Sequence, residues 1–254
     1  MKLFYRELGQ GKPLIILHGV FGSSDNWITP AKLLADTFKM YLVDQRNHGQ
    51  SPHDSDFNYK ILSEDLKSFI LENEIKEPHI IGHSMGGKVA MEFASENPEL
   101  LDKLIIVDIA PKYYPPHHQK ILEGLNAINL NTLKGRQDAD HTLSQYVDEF
   151  PVRQFLLKNL YRSDNNQFSW RINLPVLTEK ITAVGESMDS EKRVAVETLF
   201  IKGEKSGYIK PKDEELIYSI FKSVKIETIS EAGHWVQAEK PAEFAAVVKE
   251  FLGA

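Results

Sequence analysis

The chain has 254 residues, a formal net charge of −6 and no cysteine. Its length suits one large α/β domain, or one core carrying an insertion. Without cysteine there is no disulfide framework, zinc–thiolate site or cysteine nucleophile, and an acidic chain lacking a long basic run is a poor partner for nucleic acid or anionic membranes.

Met1 to Leu8 lacks the apolar core of a signal peptide, and no apolar run is long enough to span a bilayer. A cytoplasmic protein without integral membrane association is therefore expected, as a monomer or homodimer. Lys2 to Leu8 alternates apolar and polar residues, as an edge strand does, and Gly9-Gln10-Gly11 reads as a turn. Leu14-Ile15-Ile16-Leu17 is continuously apolar, the mark of a strand covered on both faces. After His18-Gly19-Val20-Phe21-Gly22, any of Ser24, Asp25 or Asn26 is suited to cap a helix running to about Phe38. Met40 to Val43 is the next strand, ending at Asp44 and a polar loop that contains His48. Tyr59 to about Leu71 carries apolar residues at helical spacing. His79-Ile80-Ile81 opens another strand, a helix follows from Met85, and Leu104 to Val107 is a buried strand closing on Asp108.

From about Lys112 to about Arg193 no short β-run recurs; amphipathic stretches at Ile121–Ile128 and Tyr146–Tyr161 take its place. Strand and helix then resume: Thr198 to Ile201, Lys212 to Phe221, Lys225 to Ile229 and Pro241 to Leu252. Alternating strands and helices predict an α/β fold built on a mostly parallel, doubly wound sheet. The expected division is a core of residues 1–111 and 194–254 with a helical cap inserted at 112–193.

The chemistry concentrates at Gly82-His83-Ser84-Met85-Gly86, a G-x-S-x-G pattern placed between a strand and a helix. A nucleophile on so tight a turn sits in a strained conformation, and its neighbours two residues away must lack bulk. The same turn aims the Met85 N–H at an oxygen that develops negative charge. A serine hydroxyl needs a base. Among nine histidines, position favours His234, on the loop between the last strand and the last helix. His18 is expected to hold its glycine loop, and His83 to point away from the chemistry. His48 is read as a brace for the loop after Asp44 and also as a candidate substrate contact. His117, His118 and His141 are expected at the surface.

His18-Gly19, the turn around Ser84 and Gly233-His234, in that order, resemble the α/β-hydrolase superfamily across nearly the whole chain. That superfamily usually carries its acid in a Gly-x-x-Asp pattern after the strand that follows the cap. Here the pattern reads Gly203-Glu204-Lys205-Ser206, which leaves Glu204, Asp108 or, more weakly, Asp44 to supply the carboxylate. A narrower resemblance implies a choice. Asp44-x-Arg46-Asn47-His48-Gly49-x-Ser51-Pro52, Gly82 to Lys88, Val107-Asp108-Ile109-Ala110-Pro111 and Gly233-His234-Trp235-Val236 are similar to the YbfF-type esterases, whose acid falls on Asp108.

The resemblance implies a catalytic set of Ser84, Asp108 and His234. An oxyanion hole is expected from Met85 with Val20 or Phe21, and an acyl pocket walled by Phe21, Phe155 and Trp235. The expected substrate is a small-molecule ester or thioester of short-to-medium acyl length. No metal or cofactor is called for, since no ligand cluster, P-loop or dinucleotide fingerprint is present. Two rivals keep the same fold. A C–C hydrolase or lyase would need a carboxylate-binding arginine from Arg136, Arg153, Arg162 or Arg171, and a non-catalytic small-molecule receptor can retain the triad.

Overall fold

The computed structural model describes residues 1–189 and 191–254. The first strands are β1 (Tyr5–Leu8), β2 (Lys12–Leu17), β3 (Phe38–Val43) and β4 (His79–His83). A 3₁₀ turn over Ser24–Trp27 runs into α1 (Ile28–Lys32), and α2 (Tyr59–Glu72) separates β3 from β4. α3 (Met85–Glu96) and β5 (Lys103–Val107) follow. Next come α4 (Gln119–Ala127), α5 (Arg136–Leu143), α6 (Phe150–Leu157), the strands β6 (Leu160–Arg162) and β7 (Phe168–Trp170), and α7 (Leu174–Val184). The chain finishes with β8 (Glu197–Gly203), α8 (Glu214–Ile220), β9 (Val224–Ile229), α9 (Val236–Glu239) and α10 (Pro241–Leu252).

Seven strands form one sheet in the order β1-β3-β2-β4-β5-β8-β9, parallel throughout except for the antiparallel edge pair β1–β3. The continuous apolar runs follow from this arrangement. Side chains alternate across a strand, so a strand covered on both faces must be apolar at every position. Ile15 and Leu17 of β2, with Ile80 and Ile106, pack on the face that α2 and α3 cover. Leu14 and Ile16, with Ile81, Ile105 and Leu199, pack on the other face with Trp27, Leu34 and Phe244. This is the doubly wound α/β sheet that the strand–helix rhythm predicts.

Two expectations need correction. The helix expected to run to Phe38 stops at Lys32, because Phe38 is buried and already pairs with Lys12 as the first residue of β3. The insertion is not wholly helical either: β6 and β7 form an antiparallel hairpin, Tyr161 opposite Ser169. Strands of three residues are too short to leave a period in the sequence.

A buried cation ties both ends of the segment between β5 and β8 to α3. Lys88 on α3 is only 4 % exposed, and its Nζ donates to the carbonyls of Lys112 (3.0 Å), Gly185 (3.3 Å) and Glu186. One of those carbonyls lies where the insertion begins and two lie just past α7, so a single side chain joins both ends. Burial pulls the Lys88 ammonium down to about 7, with Glu186 opposing and Lys112 adding to the shift. Among the described residues, no helix is long and apolar enough to cross a membrane.

Candidate active site

Ser84 occupies the step between β4 and α3 with φ 51° and ψ −118°, a region that L-residues rarely adopt. The turn is held by the Ser84 N–H on the Val107 carbonyl (3.0 Å) and the Gly87 N–H on the Ser84 carbonyl (2.9 Å). The two flanking glycines are required by contact. A Cβ at Gly82 would lie 2.3 Å from the Gly86 carbonyl oxygen, and one at Gly86 would lie 2.4 Å from that of Leu17. Backbone stands in both places, so neither clash is relieved by a rotamer change.

Asp108 leaves the end of β5, also at positive φ (48°), and is fully buried. Its Oδ2 accepts from Nδ1 of His234 at 2.7 Å, and its Oδ1 accepts from the Gly203 N–H at 3.2 Å. These partners come from different strand ends, since β8 lies between β5 and β9. The loop after β9 reaches Asp108 only by crossing the end of β8, and it does so over Gly203. A Cβ there would stand 2.2 Å from the Gly233 carbonyl oxygen. Ser206 adds a third partner, its hydroxyl donating to Asp108 Oδ2. The face of the His234 ring is covered by Tyr208, stacked at 3.9 Å between centroids and 15° between planes. Nε2 of His83 donates to the His234 carbonyl at 2.9 Å and fixes the backbone that carries this imidazole.

Ser84 and His234 line one cavity of about 370 Å³. The insertion supplies its apolar wall through Ile121, Val147, Val152, Phe155 and Leu156, and Phe21 and Trp235 face them. Phe155 and Trp235 meet at 5.6 Å between ring centroids. The loop bearing Val20 and Phe21 is tied to the insertion by Asn159, whose Nδ2 donates to the Phe21 carbonyl at 2.8 Å. The arrangement suits acyl transfer: an oriented imidazole, a serine on a strained turn and a largely apolar chamber.

A model of the α/β-hydrolase fold family matches residues 12–241. The chain belongs to this family. It is 34 % identical to the Escherichia coli esterase YbfF over 243 residues, covering 94 % of this chain and 92 % of that one. It is likewise 34 % identical to the mouse sn-1-specific diacylglycerol lipase ABHD11 over 247 residues, covering 94 % of this chain and 80 % of the relative. The solved structure of an esterase from a marine microorganism superposes with a TM-score of 0.96 at 43 % identity, covering 98 % and 99 % of the two chains. This α/β-hydrolase is an ester hydrolase of the YbfF type.

Several residues of the hydrolase lie elsewhere than expected. His48, expected as a substrate contact, is fully buried behind Phe21 and does not line the cavity. Its Nδ1 donates to the Arg46 carbonyl (2.9 Å) and its Nε2 accepts the Phe21 N–H (3.2 Å). Phe21 lines the cavity as expected, but its N–H is committed to His48 and is not a free oxyanion donor. His117 and His118 are not merely surface residues. Both line the cavity with rings 4.0 Å apart, and His117 accepts from the Tyr208 hydroxyl at 2.8 Å. Glu204 is exposed and accepts from Ser230 and the Glu231 N–H, while Asp44 accepts from the Ser24 and Gln50 N–H groups; neither is within reach of His234. Ser206, Tyr208 and Asn159 escaped sequence reasoning. Only Ser206 left a trace, at the position where the superfamily usually carries its acid.

Burial keeps the histidines behind the site neutral. It lowers His18 to about 4, opposed by the hydrogen bond to Gly19, and lowers His48 to about 3, aided by repulsion from His18. An unfolded chain protonates these groups near pH 6.5, whereas the folded one does not. Stability is therefore complete above pH 6.5 and falls as the pH drops toward 4, His18 alone contributing roughly 3 kcal/mol. Calorimetry between pH 7.5 and 4.5 should show a falling Tm, and a flat profile would contradict a neutral, buried His18–His48 pair.

Proposed function

We propose that this hydrolase cleaves carboxylic esters or thioesters of short-to-medium acyl chains through a covalent acyl-enzyme on Ser84. The observation that carries the reading is the 2.7 Å Asp108–His234 hydrogen bond beside a chamber that Ser84 also lines. In this reading Ser84 Oγ attacks the acyl carbonyl while His234 Nε2 takes the hydroxyl proton. The same nitrogen then delivers that proton to the departing alkoxide or thiolate. Asp108 holds the Nδ1–H tautomer and stabilises the imidazolium. Water, activated by the same base, releases the acid. The N–H groups of Met85 and Val20 bind the tetrahedral oxyanion, each worth about 3–4 kcal/mol in comparable sites. Residues 112–193 act as a cap over the core of residues 1–111 and 194–254.

The names of the relatives support ester cleavage, and the chamber supports a modest acyl length. At about 370 Å³ it lies near the small end of ligand pockets, roughly 300–1,000 Å³. Nothing favours C–C bond hydrolysis. Arg136, Arg153, Arg162 and Arg171 are absent from the cavity lining and are engaged with Leu160, Asp140, Asn166 and Tyr161 respectively.

A p-nitrophenyl ester series from acetate to palmitate tests the proposal. kcat/KM should peak between butyrate and octanoate, falling by about tenfold or more at palmitate, and a fluorophosphonate should label Ser84. A palmitate optimum would refute the chain-length assignment. Failure of the phosphonate to label Ser84 would refute the acyl-enzyme.

A further inference from the structure

Lys88 follows Ser84 by one helical turn on α3, and the ester mechanism gives it no role. An ammonium carries three N–H donors and no acceptor. All three find carbonyls here, those of Lys112, Gly185 and Glu186. The charge also lies against the rings of Tyr114, at 4.8 Å from the centroid, and Tyr59, at 5.6 Å. The carbonyls belong to the two stems of the segment between β5 and β8, and the stems are themselves paired. The Tyr114 N–H donates to the Gly185 carbonyl (2.8 Å) and the Met188 N–H to that of Pro111 (3.0 Å). The pairing is tight, since a Cβ on Gly185 would lie 2.2 Å from the Tyr114 carbonyl oxygen. From α2, the Tyr59 hydroxyl holds the second stem through the Val184 carbonyl (2.6 Å). Tyr114, Val184 and Gly185 line a narrow cleft together with Ser84 and Met85, so the caged stems stand beside the Ser84 turn. Burying an ammonium costs more than burying an apolar side chain of equal length, and packing alone does not account for a lysine at this position.

We propose that Lys88 is a positioning residue for the acyl pocket: by holding both stems on the helix that begins beside Ser84, its ammonium fixes where the wall of Phe155 and Leu156 stands over that serine. The inference rests on the ester-hydrolase and cap readings above. Phe155 and Leu156 lie between the two stems in the chain, so freeing the stems displaces this wall while Ser84, Asp108 and His234 stay on the strand ends of the sheet. A long acyl chain depends on the wall, and an acetyl group does so much less.

The split between KM and kcat on a short and a long ester tests it. Lys88→Met keeps the length of the side chain and removes every donor. It should raise KM for p-nitrophenyl octanoate by about tenfold while changing kcat by less than about threefold. kcat/KM for p-nitrophenyl acetate should stay within about twofold of wild type. Lys88→Ala separates charge from packing. The cage borders a surface cleft of about 730 Å³ lined by Tyr59, Lys88 and Glu186, a route by which a small ammonium reaches it. n-Propylammonium replaces the atoms that this substitution removes and should restore the octanoate KM, whereas 1-propanol and sodium chloride at the same concentration should not. Tyr59→Phe removes only the bond to the Val184 carbonyl, and it should raise the octanoate KM by about threefold even if neither lysine variant folds. Equal losses on acetate and octanoate, rescue by 1-propanol as well, or an octanoate KM unchanged in the variants that fold would each overturn the role of Lys88 and leave the esterase reading intact. Wild type turning over neither ester would overturn both.

Discussion

Ser84→Ala is expected to lower kcat for p-nitrophenyl butyrate by roughly five to six orders of magnitude, with little change in Tm. The size of the effect follows from the absence of a substitute in the chamber. The other polar side chains nearest the base are His83, His117, His118 and Tyr208. Burial lowers His118 to about 3, with His117 adding to the shift, and pushes the Tyr208 phenol up to about 12, with the Asp108 charge adding to it. A phenol so poorly acidic is no nucleophile at neutral pH, and His83 is held by the His234 carbonyl. The alanine variant leaves the oxyanion donors and the apolar wall in place, so KM should stay near the wild-type value while turnover drops to what positioning alone provides. Tm should hold because the strain at φ 51° belongs to the backbone, and alanine keeps the same Cβ. Stopped-flow and long-time assays on purified variant, with thermal unfolding in parallel, measure both. A loss of only tenfold would mean that Ser84 is not the nucleophile.

How much of this was legible in the sequence depends on how local each signal is. The parallel strands were legible because burial on both faces makes every position apolar, as in Leu14 to Leu17, and such runs survive in a linear reading. The turn carrying Ser84 was legible because the backbone contacts that demand Gly82 and Gly86 lie within a few residues of Ser84 or against the neighbouring strand. His234, the proposed base, was placed by where its loop falls between the last strand and the last helix. The acid was not: spacing left Glu204, Asp44 and Asp108 open, and the resemblance to a family chose among them. In the structure the loop after β9 crosses β8 over Gly203, and its His234 meets the carboxylate of Asp108, which supports that choice. Tyr208 on His234, Asn159 on Phe21 and Ser206 on Asp108 join residues far apart in the chain and follow no period. The overlong helix after Asn26 erred for the opposite reason, because Phe38 suits a helix locally but is claimed by the sheet.

The position of Ser206 makes the acid itself testable. Asp108→Asn should reduce kcat by about four orders of magnitude, since an amide beside Nδ1 stabilises the wrong tautomer of the base. Adding Ser206→Asp should then recover about a hundredfold of that loss. The Ser206 hydroxyl already donates to the oxygen of Asp108 that holds His234, so position 206 lies one hydrogen bond from Nδ1. A carboxylate there takes over the orientation of the imidazole, and the amide hydrogens of the asparagine introduced after β5 replace the donor that Ser206 supplied. Ser206→Asp in the otherwise wild-type chain should behave differently. Two carboxylates would then share a site that is fully buried at Asp108, one of them must hold a proton, and both stability and activity at neutral pH should fall. Combining Asp108→Asn with Ser206→Asn separates charge from shape, and that protein should show no recovery. If Asp108→Asn combined with Ser206→Asp is no faster than Asp108→Asn alone, the imidazole is held from β5 only. The serine after β8 would then be a support for that carboxylate and not an alternative seat for it.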